Sequence, residues 1–234
     1  SSSSSSSTAA AAVTASDVLL LYVVPSVGVV VASVMFLAPM RAMVRARRER
    51  TLAGLNPTPF AAIVCNCVGW TCYGVYTRDW FVISSNAAAV VVGLWYVSTA
   101  LQLAPPKAVR QMELTLLVLM ALMIAAFAVA AVVFDEGVVR RTIFGLECNL
   151  NTFAFYASPL STIVDVVRAR SALAFNLPLV VMSLINASLW SAYGVALGDA
   201  YIFTPNMFGL FVGAVQLALK LRFWRADRAR RLQL

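Results

Sequence analysis

NCVGWTCYGVYTRDWFVISSN, Asn66 to Asn86, is written a second time as NASLWSAYGVALGDAYIFTPN, Asn186 to Asn206. The offset is 120 residues throughout. Asn66, Trp70, Tyr73, Gly74, Val75, Asp79 and Asn86 fall on Asn186, Trp190, Tyr193, Gly194, Val195, Asp199 and Asn206, and Val92 and Gly93 extend the match to Val212 and Gly213. Nine identities in 28 ungapped positions exceed the roughly two or three that ordinary composition gives. A period this long marks a duplicated domain rather than a solenoid unit.

Both copies are apolar, and so is the chain around them. It is 61% hydrophobic and 12% charged, with a mean hydropathy of +0.84, where soluble domains sit near half and a quarter. That composition defines a polytopic membrane protein. A helical crossing needs about 20 residues, and seven candidate spans follow, at about 18–40, 58–77, 80–103, 113–134, 141–164, 176–197 and 200–221. No series of alternating ~10-residue segments suggests a membrane barrel. The fold class is all-α.

The net charge of +8 is explained by topology. Of the 18 basic residues, 15 lie between spans one and two, three and four, five and six, or at the C-terminus; Arg78, Arg140 and Arg141 fall on the other side. The positive-inside rule then places the N-terminus outside or in a lumen and the C-terminus in the cytosol. Nucleic acid is excluded as a partner; the bilayer is the implied one. The first 16 residues, SSSSSSSTAAAAVTAS, read as a disordered low-complexity segment. They lack a basic n-region and are not a signal peptide, so span one serves as the signal-anchor.

One repeat period holds four crossings, so the two copies lie parallel. Spans one to three are copied in five to seven, and span four has no echo. The layout is 3 + 1 + 3: a triple-helix bundle over 17–104, a linker helix over 105–136, a second bundle over 137–222 and a basic tail over 223–234. Two such units related by an axis along the membrane normal place a site between them near the midplane.

Pro39 in FLAPM and Pro159 in YASPL, W-x-x-Y-G in both halves, the aspartate opening each third helix, and TPN at Thr204–Asn206 followed by Gly209 and Gln216 together closely resemble the SWEET family of sugar transporters. Parallel repeats of this kind are described for that family itself. The resemblance covers about residues 20–222. It implies seven helices and energy-independent, bidirectional transport of sugar by alternating access, the sugar being glucose, another hexose or sucrose. It also implies a possible homo-oligomer. We place the chain in the plasma membrane, with the vacuolar or another endomembrane as the alternative.

Asn86 and Asn206 lie six or seven residues into spans three and seven, ~10 Å below the outer surface at 1.5 Å per residue. A carboxamide there must find protein partners or line a wet cavity. Its donors and acceptor suit sugar hydroxyls, and the resemblance makes this pair sugar-contacting. Trp70 and Trp190 share one depth and facing, and an indole face stacks on the apolar face of a pyranose; the matching family positions flank the sugar. Asn66 and Asn186, one turn before each Trp, serve either pocket or interhelical bonding.

Tyr73, Tyr193, Asp79, Asp199 and Arg78 gather at the outer helix ends. N-capping explains the aspartates. The sharper reading is an outer gate in which Tyr73 and Tyr193 close over the sugar while Arg78 pairs with Asp199. Pro39, Pro59 and Pro159 match the family's hinge prolines, and Pro178 stands two residues beyond the position of the fourth; a mid-membrane proline bends its helix. Glu147 is the one acid well inside a span, and Arg140, two turns above it, is the expected ion-pair partner.

No enzyme is expected: without histidine there is no nucleophile–base constellation. Cys65-x-Cys67 puts its thiols on different helix faces, so no metal or cofactor is expected either. Within transport, the competing reading is a PQ-loop amino-acid or cystine carrier, but the chain has no Pro-Gln dipeptide. A seven-helix receptor without net flux is the third reading, and the internal repeat argues against it.

Overall fold

The computed structural model describes residues 14–135 and 137–231. Residues 1–13 of the Ser/Ala-rich segment, and 232–234 of the tail, lie outside the described residues. Helix α1 runs Ala15–Glu49, α2 Thr58–Thr77, α3 Trp80–Leu103, α4 Pro106–Val133, α5 Gly137–Ala169, α6 Leu177–Ala196 and α7 Ala200–Arg231. Six of these are apolar enough to cross a membrane by composition. The exception is α5, which carries Arg140, Arg141, Glu147, Asn149 and Asn151. Its 33 residues span ~50 Å at 1.5 Å per residue, and it packs as the seventh helix.

Helices begin where the sequence offers caps. Thr14 and Asp17 form a reciprocal capping box, with the Asp17 N–H on Thr14 Oγ1 at 3.2 Å and the Thr14 N–H on Asp17 Oδ2 at 2.9 Å. Order therefore reaches back to Thr14, inside the segment expected to be disordered. Asp79 caps α3 and Asn176 caps α6, and the C-terminal basic segment continues α7 as helix to Arg231.

In each bundle the third helix sits in the middle. α3 packs on α1 and α2, and α7 packs on α5 and α6. Between bundles, α1 meets α6 and α2 meets α5, while α4 lies along the α2–α5 seam. The repeat identities Gly93 and Gly213 explain the close packing: a Cβ at either would come within 2.8 Å of Val64 or Leu184 respectively.

The prolines divide into two classes. Pro39 stands at a true break, where α1 unwinds at Ala38–Pro39 before resuming at Met40. Next to the break, the carbonyl of Phe36 accepts the Tyr96 hydroxyl at 3.0 Å. Pro159 lies within continuous α5. Pro59 and Pro178, expected as mid-membrane hinges, instead occupy the first turns of α2 and α6, where the missing N–H has no intrahelical partner to lose. A further proline, Pro205, interrupts α7. It cannot donate to the Tyr201 carbonyl one turn back, and that carbonyl accepts the Asn149 amide of α5 at 3.0 Å instead.

Two apolar clusters at the basic end stay within their own halves. One joins Met43, Ala46, Leu52, Phe60 and Ala100 with Met112 at the start of α4. The other joins Val166, Ala172, Phe175 and Val180, and is tied to α7 by buried Lys220, whose Nζ donates to the carbonyls of Ala172 and Phe175 at 2.6 and 2.9 Å. Asp227 completes the tie, accepting from Ser171 Oγ and the Ala172 N–H at 2.6 and 2.9 Å.

Gly93→Val and Gly213→Val should each lower stability by about 1–3 kcal/mol through overpacking. Because they sit in different bundles, the losses should add; thermal unfolding in detergent, singly and together, checks this.

Candidate functional site: a cross-bundle gate above paired asparagines and tryptophans

The third cluster takes residues from both bundles. Trp70, Tyr73 and Val82 pack with Cys148, Trp190, Tyr193 and Ile202. Its polar lid is an exchange between the repeats. Tyr73 donates to Asp199 Oδ2 at 2.6 Å, and Tyr193 donates to Asp79 Oδ2 at 2.9 Å. The other oxygen of each aspartate caps its own helix: Asp79 Oδ1 accepts the N–H groups of Phe81 and Val82, and Asp199 Oδ1 those of Tyr201 and Ile202. Each aspartate is thus an N-cap and a cross-bundle acceptor at once. Gly74 and Gly194 let the turns close this tightly, since a Cβ at Gly194 would meet the Phe203 backbone nitrogen at 2.8 Å.

The cation of this gate is not the expected one. Arg141 of α5 donates to Asp199 Oδ2 at 2.7 Å and to Tyr73 Oη at 3.3 Å. Arg78 is exposed and makes no ion pair among the described residues. The reason is backbone geometry: Arg78 closes α2 in the left-handed region, φ 58°, at the position that Gly198 fills in the second copy with φ 62°. There the chain is turning away, and the side chain projects to solvent. Arg141 belongs to one half only, because Leu21 stands at the equivalent position of the first repeat. The lock is therefore asymmetric, with a cation on Tyr73–Asp199 and none on Tyr193–Asp79.

Each Trp packs edge-on against the Tyr one turn later, with ring centroids 5.6 Å apart for Trp70–Tyr73 and 5.9 Å for Trp190–Tyr193. The indoles differ in their bonds. Trp70 Nε1 donates to Thr152 Oγ1 at 2.9 Å, and the Thr152 hydroxyl reaches Asn66 Oδ1 at 2.7 Å. Trp190 lies over Gly28 and has no such partner among the described residues. Asn66 is thus an interhelical bonder, while Asn186 Oδ1 is buried without a partner among the described residues.

Asn86 and Asn206 stand one turn below the cluster. Their amides donate back to the carbonyls of Val82 at 2.9 Å and Ile202 at 2.7 Å, the two cluster members at the same repeat position. Asn86 also reaches Ser85 Oγ at 3.0 Å. Both carboxamides are half-buried, and neither Oδ1 takes a hydrogen bond from the described residues. Two carboxamides with fixed orientation therefore hold out neutral acceptors, and Asn206 keeps one spare N–H, whereas Asn86 spends both of its own. Such a surface suits an uncharged, hydroxyl-rich molecule better than an ion.

Glu147 does not pair with Arg140. Arg140 turns to the C-terminal end of α4, donating to the carbonyls of Ala130 and Ala131, both at 3.2 Å, and of Phe134, and to Asp135 Oδ1 at 3.3 Å. Those free carbonyls attract a cation more readily than a buried acid two turns away. Further toward the basic end, a cavity of about 680 Å³ opens between Thr58, Pro59 and Ala62 of α2 and Ala154 and Ser158 of α5, with Gln111 of α4 on its side. The bundles are thus joined at the gate end, and a cavity bounded by α2, α4 and α5 lies toward the basic end.

Of the participants missed in the sequence, Arg141 and Thr152 had a readable signal. With Cys148 they form an i, i+7, i+11 stripe on α5, which is one helix face. Asn149 had none, since its partner exists only because Pro205 leaves a carbonyl free.

The model of the family described as sugar efflux transporters for intercellular exchange matches residues 22–108 and again 142–226, one match per bundle. The chain belongs to this family. It is 30% identical to the bidirectional sugar transporter SWEET4 of Oryza sativa subsp. indica over 87% of this chain and 81% of the relative. It is 28% identical to the sugar transporter SWEET1 of Danio rerio over 71% and 74%. A solved eukaryotic SWEET transporter superposes with a TM-score of 0.77 at 22% identity, covering 88% of this chain and 98% of that one, which establishes the shared fold.

Arg141→Gln removes a charge-assisted bond worth about 1.5–3 kcal/mol. Hydrogen exchange of the amides of 201–203 and 79–83 should accelerate roughly 10–100-fold, while amides at the basic end keep their rates. An unchanged gate end would mean that Arg141 carries no part of the lock.

Proposed function

We propose that this protein is a sugar uniporter, passing a mono- or disaccharide in either direction down its own gradient. The observation that carries the reading is the pair Asn86 and Asn206. They are repeat-related, neutral and half-buried, and they lie one turn beneath a gate built from both bundles. Sugar hydroxyls bond to these carboxamides, and Trp70 and Trp190 supply apolar faces above them. The names of the relatives in rice and zebrafish support the same substrate class.

Access alternates between the two ends. In this reading, the arrangement described above is the state closed at the gate end and open at the basic end. Breaking Tyr73–Asp199 and Tyr193–Asp79 parts the bundles above the sugar, and the clusters around Phe60 and Val180 then approach each other below it. Bends at Pro39 and Pro159 accommodate the motion. The gate end faces the outside or a lumen and the basic end the cytosol, consistent with the distribution of arginine and lysine. The cycle spends no ATP and carries no ion across, so the sugar gradient alone sets the direction.

Proteoliposomes containing the protein should equilibrate labelled glucose or sucrose with saturable kinetics. Neither a pH difference nor a membrane potential should drive accumulation above the outside concentration. Asn206→Ala should slow the flux at least ~10-fold, the loss expected when bonds to a buried polar ligand go unmade. Uphill accumulation, or full flux in the variant, would refute the reading.

A further inference from the structure

Glu147 plays no part in the cycle above, yet its position is costly. The residue is 7% exposed, six residues and about 9 Å along α5 from Arg141. Oε1 accepts the Asn151 amide at 2.6 Å. Oε2 has no hydrogen-bond partner among the described residues and faces Gly69 of α2, where an added Cβ would lie 3.3 Å away. Its titratable neighbours are thiols: Cys65 and Cys72 on α2 and Cys148 on α5. From Leu114 to Phe134, α4 has no titratable side chain. α7 brings Tyr201, bonded to Thr142 at 3.0 Å, and Asp199, held by Arg141 and Tyr73. Among the described residues no cation pairs with the carboxyl: Arg140 is spent on the end of α4 and Arg141 on the gate. A bare carboxylate in that setting is strongly disfavoured relative to the neutral acid.

Two placements make this more than a buried acid. Glu147 stands on the seam between the bundles, on α5 against α2, so its surroundings change when the bundles part. It is also absent from the duplicated scaffold, since Val27 occupies the repeat position. Resting on the alternating-access reading above, we propose that Glu147 is a proton-binding site tied to gate closure. The carboxylate takes one proton as α2 and α5 close over it, and the acid returns it when they open and water reaches it. In the closed state the carboxyl is cut off from the cavity at the basic end, so the proton enters and leaves by the gate end. Sugar flux then responds to pH on that side, and no proton is carried across.

The sign follows from linkage. The closed state binds one proton more than the open state, so raising gate-side pH disfavours closure by at most ~tenfold per pH unit. Flux in wild-type proteoliposomes should fall as the gate-side compartment is made alkaline and ignore the pH of the opposite compartment. Glu147→Gln should transport sugar at the wild-type's low-pH rate, independently of pH. Infrared spectroscopy of the wild-type protein in lipid gives a second readout that needs neither flux nor a variant: the carbonyl stretch of a protonated carboxylic acid should persist at neutral pH. A Glu147→Gln protein with the wild-type pH profile, a flat wild-type profile, dependence on the opposite compartment, or a spectrum lacking the acid band would each overturn the proposal. Absent sugar flux with the acid band present would instead strike the uniporter reading and leave the proton site standing.

Discussion

Two aspartates hold the halves of this molecule together. Asp79 and Asp199 each split their oxygens, one capping the helix they begin and one accepting a tyrosine from the other bundle. The capping bonds fix each carboxylate rigidly. The tyrosine bonds then tie the two triple-helix units together at the gate end. Among the described residues no such bond crosses at the basic end, where each unit keeps its own apolar cluster. A contact that is strong, local and confined to one end is what a rocking pair of rigid bodies requires.

Duplication explains the symmetry of this arrangement, and the departures from duplication give it direction. The tyrosines, aspartates, tryptophans and asparagines all obey the offset of 120 residues. Arg141, Thr152 and Glu147 do not; all three lie on α5, the helix that faces α2 across the seam. Arg141 reinforces one half of the gate, Thr152 fixes one of the two indoles, and Glu147 inserts an acid where the first repeat has valine. The unpaired linker helix α4 also covers this seam, whereas the α1–α6 seam has no counterpart. One interface of the pair is thus more polar and more heavily constrained than the other.

Much of this was legible in the sequence because repetition and hydropathy are global signals. The seven helices and the 3 + 1 + 3 layout follow from the repeat and from span length. The errors concern local geometry. Its place at the outer helix ends makes Arg78 the expected partner of Asp199, but a left-handed backbone at the end of α2 sends it outward. Glu147 was given Arg140 by helical periodicity, but the unfilled carbonyls at the end of α4 compete for that guanidinium. Pro59 and Pro178 were read as kinks, although the helices begin one residue before each of them. In all three cases the deciding factor was where a helix stops or starts, which is the least readable feature of a chain.

The central claim is that the two ends open in opposition. Spin labels at the exposed, repeat-related positions Val75 and Val195 report the gate end, and labels at Arg47 and Val167 report the basic end. With the native cysteines replaced, electron–electron distances in lipid should show the two pairs moving in opposite senses when Tyr73→Phe and Arg141→Gln loosen the gate: the first lengthens as the second shortens. Distances that lengthen together, or a basic-end pair that stays fixed while the gate opens, would contradict the account.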